Sequence, residues 1–136
     1  GPGMTANLDS DLEAKLAAAQ HELKGRDLVV VHVKGADIAA HDMRPDLKVE
    51  FLERLDREVG RLLAGADPPR RVAVAADHAT LSELGHHGAD PVPVLLWGEG
   101  IEADTVESFD ELAVARGRLR RFQLRELMGR VFGPEP

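Results

Sequence analysis

Cysteine is absent from all 136 residues, which excludes disulfides and thiolate metal sites and leaves a reducing compartment compatible with the chain. A surplus of basic charge is also absent: 17 Lys and Arg stand against 24 Asp and Glu, for a formal charge of -7. Phosphate-backbone affinity comes from excess Lys and Arg, so the balance argues against a general nucleic-acid binder and suits a cation site better. The Arg-rich stretch 116–130 has no interleaved aromatic platform and reads as the solvated face of a last helix. No apolar run approaches the roughly 20 residues that span a bilayer, and the N-terminus has no signal-peptide core. The expected location is the cytoplasm, with neither membrane nor nucleic acid as a partner.

What is present fits a folded protein, with 43% hydrophobic and 30% charged residues in proportions ordinary for a globular domain. GPG at 1–3 reads as a cloning remnant, leaving 4–136 as one metal-binding α/β domain. Apolar residues at Leu8, Leu12, Leu16, Ala19 and Leu23 predict an amphipathic helix capped by Asp9 or Ser10 and ended by Gly25. DLVVVHV (27–33) reads as a strand buried on both faces. Helical spacing returns through Leu47, Phe51, Leu55, Val59 and Leu62, starting at Pro45 or Asp46. RRVAVAADH and DPVPVLLWG supply a second and a third strand, and GRLRRFQLRELMGRVF a last helix. Alternation of this kind predicts a three-layer α/β/α arrangement with a mainly parallel sheet.

Charged groups gather at the expected carboxyl ends of the strands, where ligands bind in open α/β sheets. Asp37 and His41 follow the first strand at a spacing that puts both on one helical face. Asp77 and His78 end the second strand, and a third imidazole is available from His86 or His87. Taken singly, each pair reads more readily as a cap and a surface histidine than as ligands. Together they form an imidazole and carboxylate set suited to manganese, zinc or iron, large enough to begin a two-metal site for phosphoryl transfer. Lys34 lies at the same end and suits a phosphate.

HVKGADIAAHD, AADHATLSELGHHGADPVPVLLWG and ARGRLRRFQLRELM, in that order, resemble the C-terminal part of the archaeal-type cofactor-independent phosphoglycerate mutases, members of the alkaline phosphatase superfamily. The resemblance runs from about Met4 to Met128. It implies a partial alkaline phosphatase-like fold and two divalent metal ions, manganese, zinc or iron. It implies Asp37, His41 and His87 as ligands of one ion, Asp77 and His78 as ligands of the second, and Lys34 as a substrate or phosphate contact. His87 is preferred to His86 because the family histidine stands three residues before the Asp of DPVP, here Asp90. Ala79 and Gly88 replace expected serines, and Gly35-Ala36 a more usual Ala-Thr.

In that family an N-terminal segment supplies a further metal-binding Asp and the serine nucleophile, and an inserted domain covers the substrate. The chain begins after these, so the expectation is the metal-ligand half of a phosphomutase interconverting 3-phosphoglycerate and 2-phosphoglycerate, with no catalytic residue of its own. A complementary N-terminal polypeptide or a homo-oligomer is the expected partner, and a phosphorylated small molecule the expected substrate. Ser10, Ser82 and Ser108 show no constrained turn that would mark a replacement nucleophile. Two alternatives stand beside this reading: a stand-alone metal-binding or scaffold domain that has lost the mutase reaction, and a metal-dependent hydrolase of phosphate esters.

Overall fold

The computed structural model describes residues 3–65 and 70–133; Gly1 and Pro2 of the leading GPG, and 66–69 and 134–136 of the expected domain, lie outside the described residues. The elements in chain order are α1 (Leu12–Glu22), α2 (Gly35–His41), α3 (Pro45–Ala64), β1 (Arg71–Ala75), β2 (Ala79–Leu81), β3 (His86–Gly88), β4 (Val94–Gly98), α4 (Glu111–Val114), a 3-10 turn (Leu124–Glu126) and α5 (Leu127–Phe132). By packing, the described residues fall into two compact units: residues 3–65 with 80–87, and residues 70–79 with 88–133.

In the first unit, α1 starts at Asp11, whose carboxylate accepts from the Ala14 N–H at 2.9 Å. The cap is therefore neither Asp9 nor Ser10. Ser10 is instead buried, and its hydroxyl donates to the Thr5 carbonyl. Pro45 opens α3, a position where its missing N–H costs no helical bond. Arg44, just before it, forms a two-point pair with Asp46 at 2.9 and 2.6 Å. The Arg44 hydrogen bonds hold the Asp46 carboxyl down to about 2. Whatever this exposed pair contributes is present above the ordinary carboxylate range and is lost as pH falls through about 2.

The centre of this unit is Phe51 of α3, 1% exposed, with Ala39 and Ala40 of α2 also fully buried. Gly35 opens α2 directly against the Phe51 ring, and a β-carbon there would overlap three of the ring carbons. Small residues at 35, 39 and 40 thus let α2 lie close on α3. The far end of α2 turns sharply: Met43 takes a left-handed conformation (φ 52°). The Arg44 N–H bonds the Ala39 carbonyl and the Met43 N–H the Ala40 carbonyl, the pairing of a Schellman stop.

Residues 27–33 do not form the strand their composition suggests. Exposure alternates along them, with Leu28, Val30 and His32 outward and Val29, Val31 and Val33 half-buried, as in a strand. No ladder pairs them among the described residues, and Val30 is 79% exposed. β-branched composition favours an extended backbone, but a sheet needs a second strand in register.

The second unit holds β1 and β4, paired antiparallel from Arg71↔Gly98 to Ala75↔Val94. The α/β class stands, but the expected parallel pairing of these two strands does not. The connection between them, residues 76–93, carries the β2–β3 hairpin and no helix, and parallel neighbours need a long crossover, usually helical. Arg71 ties the unit together, donating to the carbonyls of Glu99, Val131 and Gly133. The last helix is shorter than its sequence suggests. Arg120 is left-handed (φ 55°) and Gln123 extended, so regular helix begins only at Leu127 and most of the Arg-rich stretch precedes it.

The close approach of Gly35 to Phe51 yields a direct expectation. Gly35→Ala should lower unfolding stability by about 1–3 kcal/mol through overpacking, measured by denaturant unfolding; unchanged stability would show that the Phe51 ring yields without cost.

Candidate metal centre

Three of the expected ligands meet within the first unit. Asp37 lies in the first turn of α2 and His41 at its last residue, four apart and on one face. His87 comes from β3. The His41 Nε2 is 3.1 Å from the His87 Nε2 and 3.3 Å from Asp37 Oδ1, and the third side of this triangle, His87 Nε2 to Asp37 Oδ1, is 3.8 Å. Asp37 is the sheltered member, with a side chain 22% exposed against 41% and 52% for His41 and His87. The two rings are tilted by 51° with centroids 5.0 Å apart, so their nitrogens converge without the rings stacking.

The tautomer of His41 follows from its other nitrogen. Nδ1 faces the Gly85 carbonyl at 2.8 Å, and a carbonyl oxygen only accepts, so Nδ1 carries the proton. In the neutral ring this leaves the Nε2 lone pair aimed at the acid and at His87. Such an outer hydrogen bond is the usual way a ligating imidazole is oriented. The turn that supplies the carbonyl is tight. Gly85 has φ +69°, and its N–H bonds the Leu81 carbonyl at 2.8 Å; a side chain there would crowd the His41 backbone.

Three electron-rich atoms this close suit a cation. The edge of a tetrahedron built on metal bonds of about 2.0–2.1 Å is about 3.3 Å, and the observed separations bracket it. The donor chemistry, two imidazoles and a carboxylate, fits zinc, manganese or iron. Lys34 stands just outside, its Nζ 4.0 Å from Asp37 Oδ2, at the rim where an anion would approach.

His86 takes a different role from its neighbour: its Nδ1 lies 3.1 Å from the His87 carbonyl. Asp77 and His78 follow β1 and belong to the second unit. There the His78 N–H donates to Asp77 Oδ1 at 3.1 Å, and His78 Nε2 lies 3.5 Å from Asp77 Oδ2. The Asp77 carboxylate is largely exposed. Among the serines, Ser10 is buried against a backbone carbonyl and Ser108 donates to Asp110 at 2.6 Å.

Sequence reasoning missed two participants. Thr80 donates its hydroxyl to Asp37 Oδ1 at 2.6 Å, and the Gly85 carbonyl fixes His41. Nothing in sequence spacing signals that the carbonyl of Gly85, or a threonine 43 positions from Asp37, reaches α2.

Residues 2–128 match the model of the Metalloenzyme superfamily. The chain is 42% identical over 127 residues to a 2,3-bisphosphoglycerate-independent phosphoglycerate mutase of Methanoculleus marisnigri, covering 93% of this chain and 30% of that protein. It is 43% identical over 137 residues to the protein of the same name from Methanopyrus kandleri, covering 94% and 32%. A solved structure of the PH0037 protein from Pyrococcus horikoshii superposes with a TM-score of 0.91 at 34% identity, over 96% of this chain and 40% of that one. The chain thus spans about a third of the length of these relatives. The comparisons agree with a partial alkaline phosphatase-like α/β fold.

Loaded with zinc or manganese and passed through a desalting column, the chain should retain metal. His41→Ala and Asp37→Ala should each lose about one equivalent relative to the unchanged chain by elemental analysis; equal metal content in all three would exclude this set as a ligand site.

Proposed function

The chain belongs to the Metalloenzyme superfamily, and on that premise we propose that it carries the metal-ligand part of a phosphomutase acting on phosphoglycerate. The reaction is the interconversion of 3-phosphoglycerate and 2-phosphoglycerate. The observation that supports this most is the convergence of Asp37 Oδ1, His41 Nε2 and His87 Nε2 at 3.1–3.8 Å, joined to the sequence kinship with mutases. Asp37, His41 and His87 would hold one divalent ion, and Asp77 and His78 would contribute to a second. Manganese suits this mixed set, as do zinc and iron.

The chemistry such ions supply is charge stabilisation on phosphoryl oxygens during in-line displacement. The chain's own residues do the positioning. The Gly85 carbonyl holds the His41 proton on Nδ1, so that the imidazole would meet an ion through Nε2. Lys34 offers an ammonium beside Asp37 Oδ2 for a substrate phosphate, and draws that anion to the rim of the site. The serine nucleophile comes from a complementary polypeptide segment. On this reading the reaction belongs to glycolysis and the proposed compartment is the cytoplasm. Among the described residues no helix is long and apolar enough to cross a membrane.

A second reading, a metal-binding scaffold without mutase activity, draws support from the extended segment 27–33, whose outward Leu28 and Val30 are exposed and which suits a partner surface as well as an enzyme interior.

Turnover followed by phosphorus NMR separates the two. The metal-loaded chain alone should leave 3-phosphoglycerate unchanged, and addition of the complementary serine-bearing polypeptide should produce 2-phosphoglycerate, with Lys34→Met raising KM. A folded, metal-loaded mixture that stays silent would favour the scaffold.

A further inference from the structure

Asp37 has two oxygens with different surroundings. Oδ1 faces both imidazoles, at 3.3 and 3.8 Å, and also accepts the Thr80 hydroxyl at 2.6 Å. Oδ2 faces Lys34. A carboxylate oxygen has two lone-pair directions, and Thr80 takes one of them on the same atom that the imidazoles surround.

Thr80 is itself well placed to hold a fixed direction. It is 7% exposed and sits in the middle of β2, and its carbonyl accepts from Lys48 Nζ of α3 at 2.9 Å. The helix that carries Phe51 therefore anchors the strand that carries the hydroxyl. A threonine is stiff at χ1, so fixing its backbone largely fixes its oxygen. In the same unit α2 fixes the Asp37 backbone, and the two constraints meet at one short hydrogen bond.

We propose that Thr80 is a positioning residue for the metal centre: its hydroxyl holds the Asp37 carboxylate in the orientation that turns Oδ1 toward His41 and His87, where all three would meet an ion. Asp37 would then share an ion with two imidazoles, a mixed nitrogen and oxygen set that suits zinc, manganese or iron better than calcium, which takes an all-oxygen shell. Without the hydroxyl, the carboxylate rotates about its last torsion, which is broad, and the three donors no longer share a focus. This inference rests on the reading of Asp37, His41 and His87 as metal ligands, and its test distinguishes the two.

Cobalt(II) alone, titrated into the full chain, is the probe, because its visible absorption reports coordination number and its titration reports affinity. Thr80→Val should weaken cobalt binding about 10–100-fold, the usual effect of losing an outer hydrogen bond to a ligand, and should shift the spectrum toward the weaker bands of higher coordination. Thr80→Ser, which restores the hydroxyl, should recover most of both. Thr80→Ala keeps the test open should the valine methyl disturb β2, with far-ultraviolet circular dichroism confirming the fold of each variant. Valine and alanine variants that bind cobalt like the unchanged chain, with the same spectrum, would overturn the role of Thr80 while leaving the metal reading intact. A serine variant as weak as valine would overturn it too. An unchanged chain that takes up no cobalt would overturn both.

Discussion

The hydrogen bond between His41 Nδ1 and the Gly85 carbonyl, at 2.8 Å, is the interaction on which the candidate centre depends. It joins the end of one helix to the turn of a hairpin far away in sequence. It sets the position of the ring and its tautomer at once. Without this hydrogen bond the His41 ring would lose the contact that fixes its tautomer and directs its Nε2 toward His87 and Asp37. Around it the unit is built for closeness: Gly35, Ala39 and Ala40 bring α2 onto α3, and Gly85 brings the turn onto the backbone of His41.

Close packing and metal affinity are linked by this arrangement. The small residues that let α2 approach Phe51 sit on the same seven-residue helix as Asp37 and His41. A helix that short has little stability of its own, and its hold on the ligands comes from the face it buries. The Schellman stop at Met43 and the Lys48 bond to Thr80 brace the same region from α3. No buried side-chain polar atom among the described residues lacks a partner, as a centre fixed by packing requires.

Much of this was legible in the sequence, and the reasons differ by element. The i, i+4 spacing of Asp37 and His41 states a shared helical face directly, and the periodicity around Phe51 located α3 and its proline start. The α/β class followed from strand-like runs between helical ones. The direction of pairing between RVAVA and VLLWG did not, because it depends on what the connection contains, and the hairpin within it is built from two strands too short to stand out. Segment 27–33 carries strand composition and strand alternation without a ladder, since pairing belongs to two segments and composition to one. The carbonyl of Gly85 and the hydroxyl of Thr80 act through three-dimensional placement, and no spacing rule reaches them.

The most direct test of the central claim is X-ray absorption at the zinc edge on the chain loaded with one equivalent of zinc. Two imidazole nitrogens and a carboxylate oxygen in the first shell, with His41→Ala reducing the imidazole count to one, is the result expected. A shell of oxygens alone, or two imidazoles that persist without His41, would contradict a metal centre built on Asp37, His41 and His87.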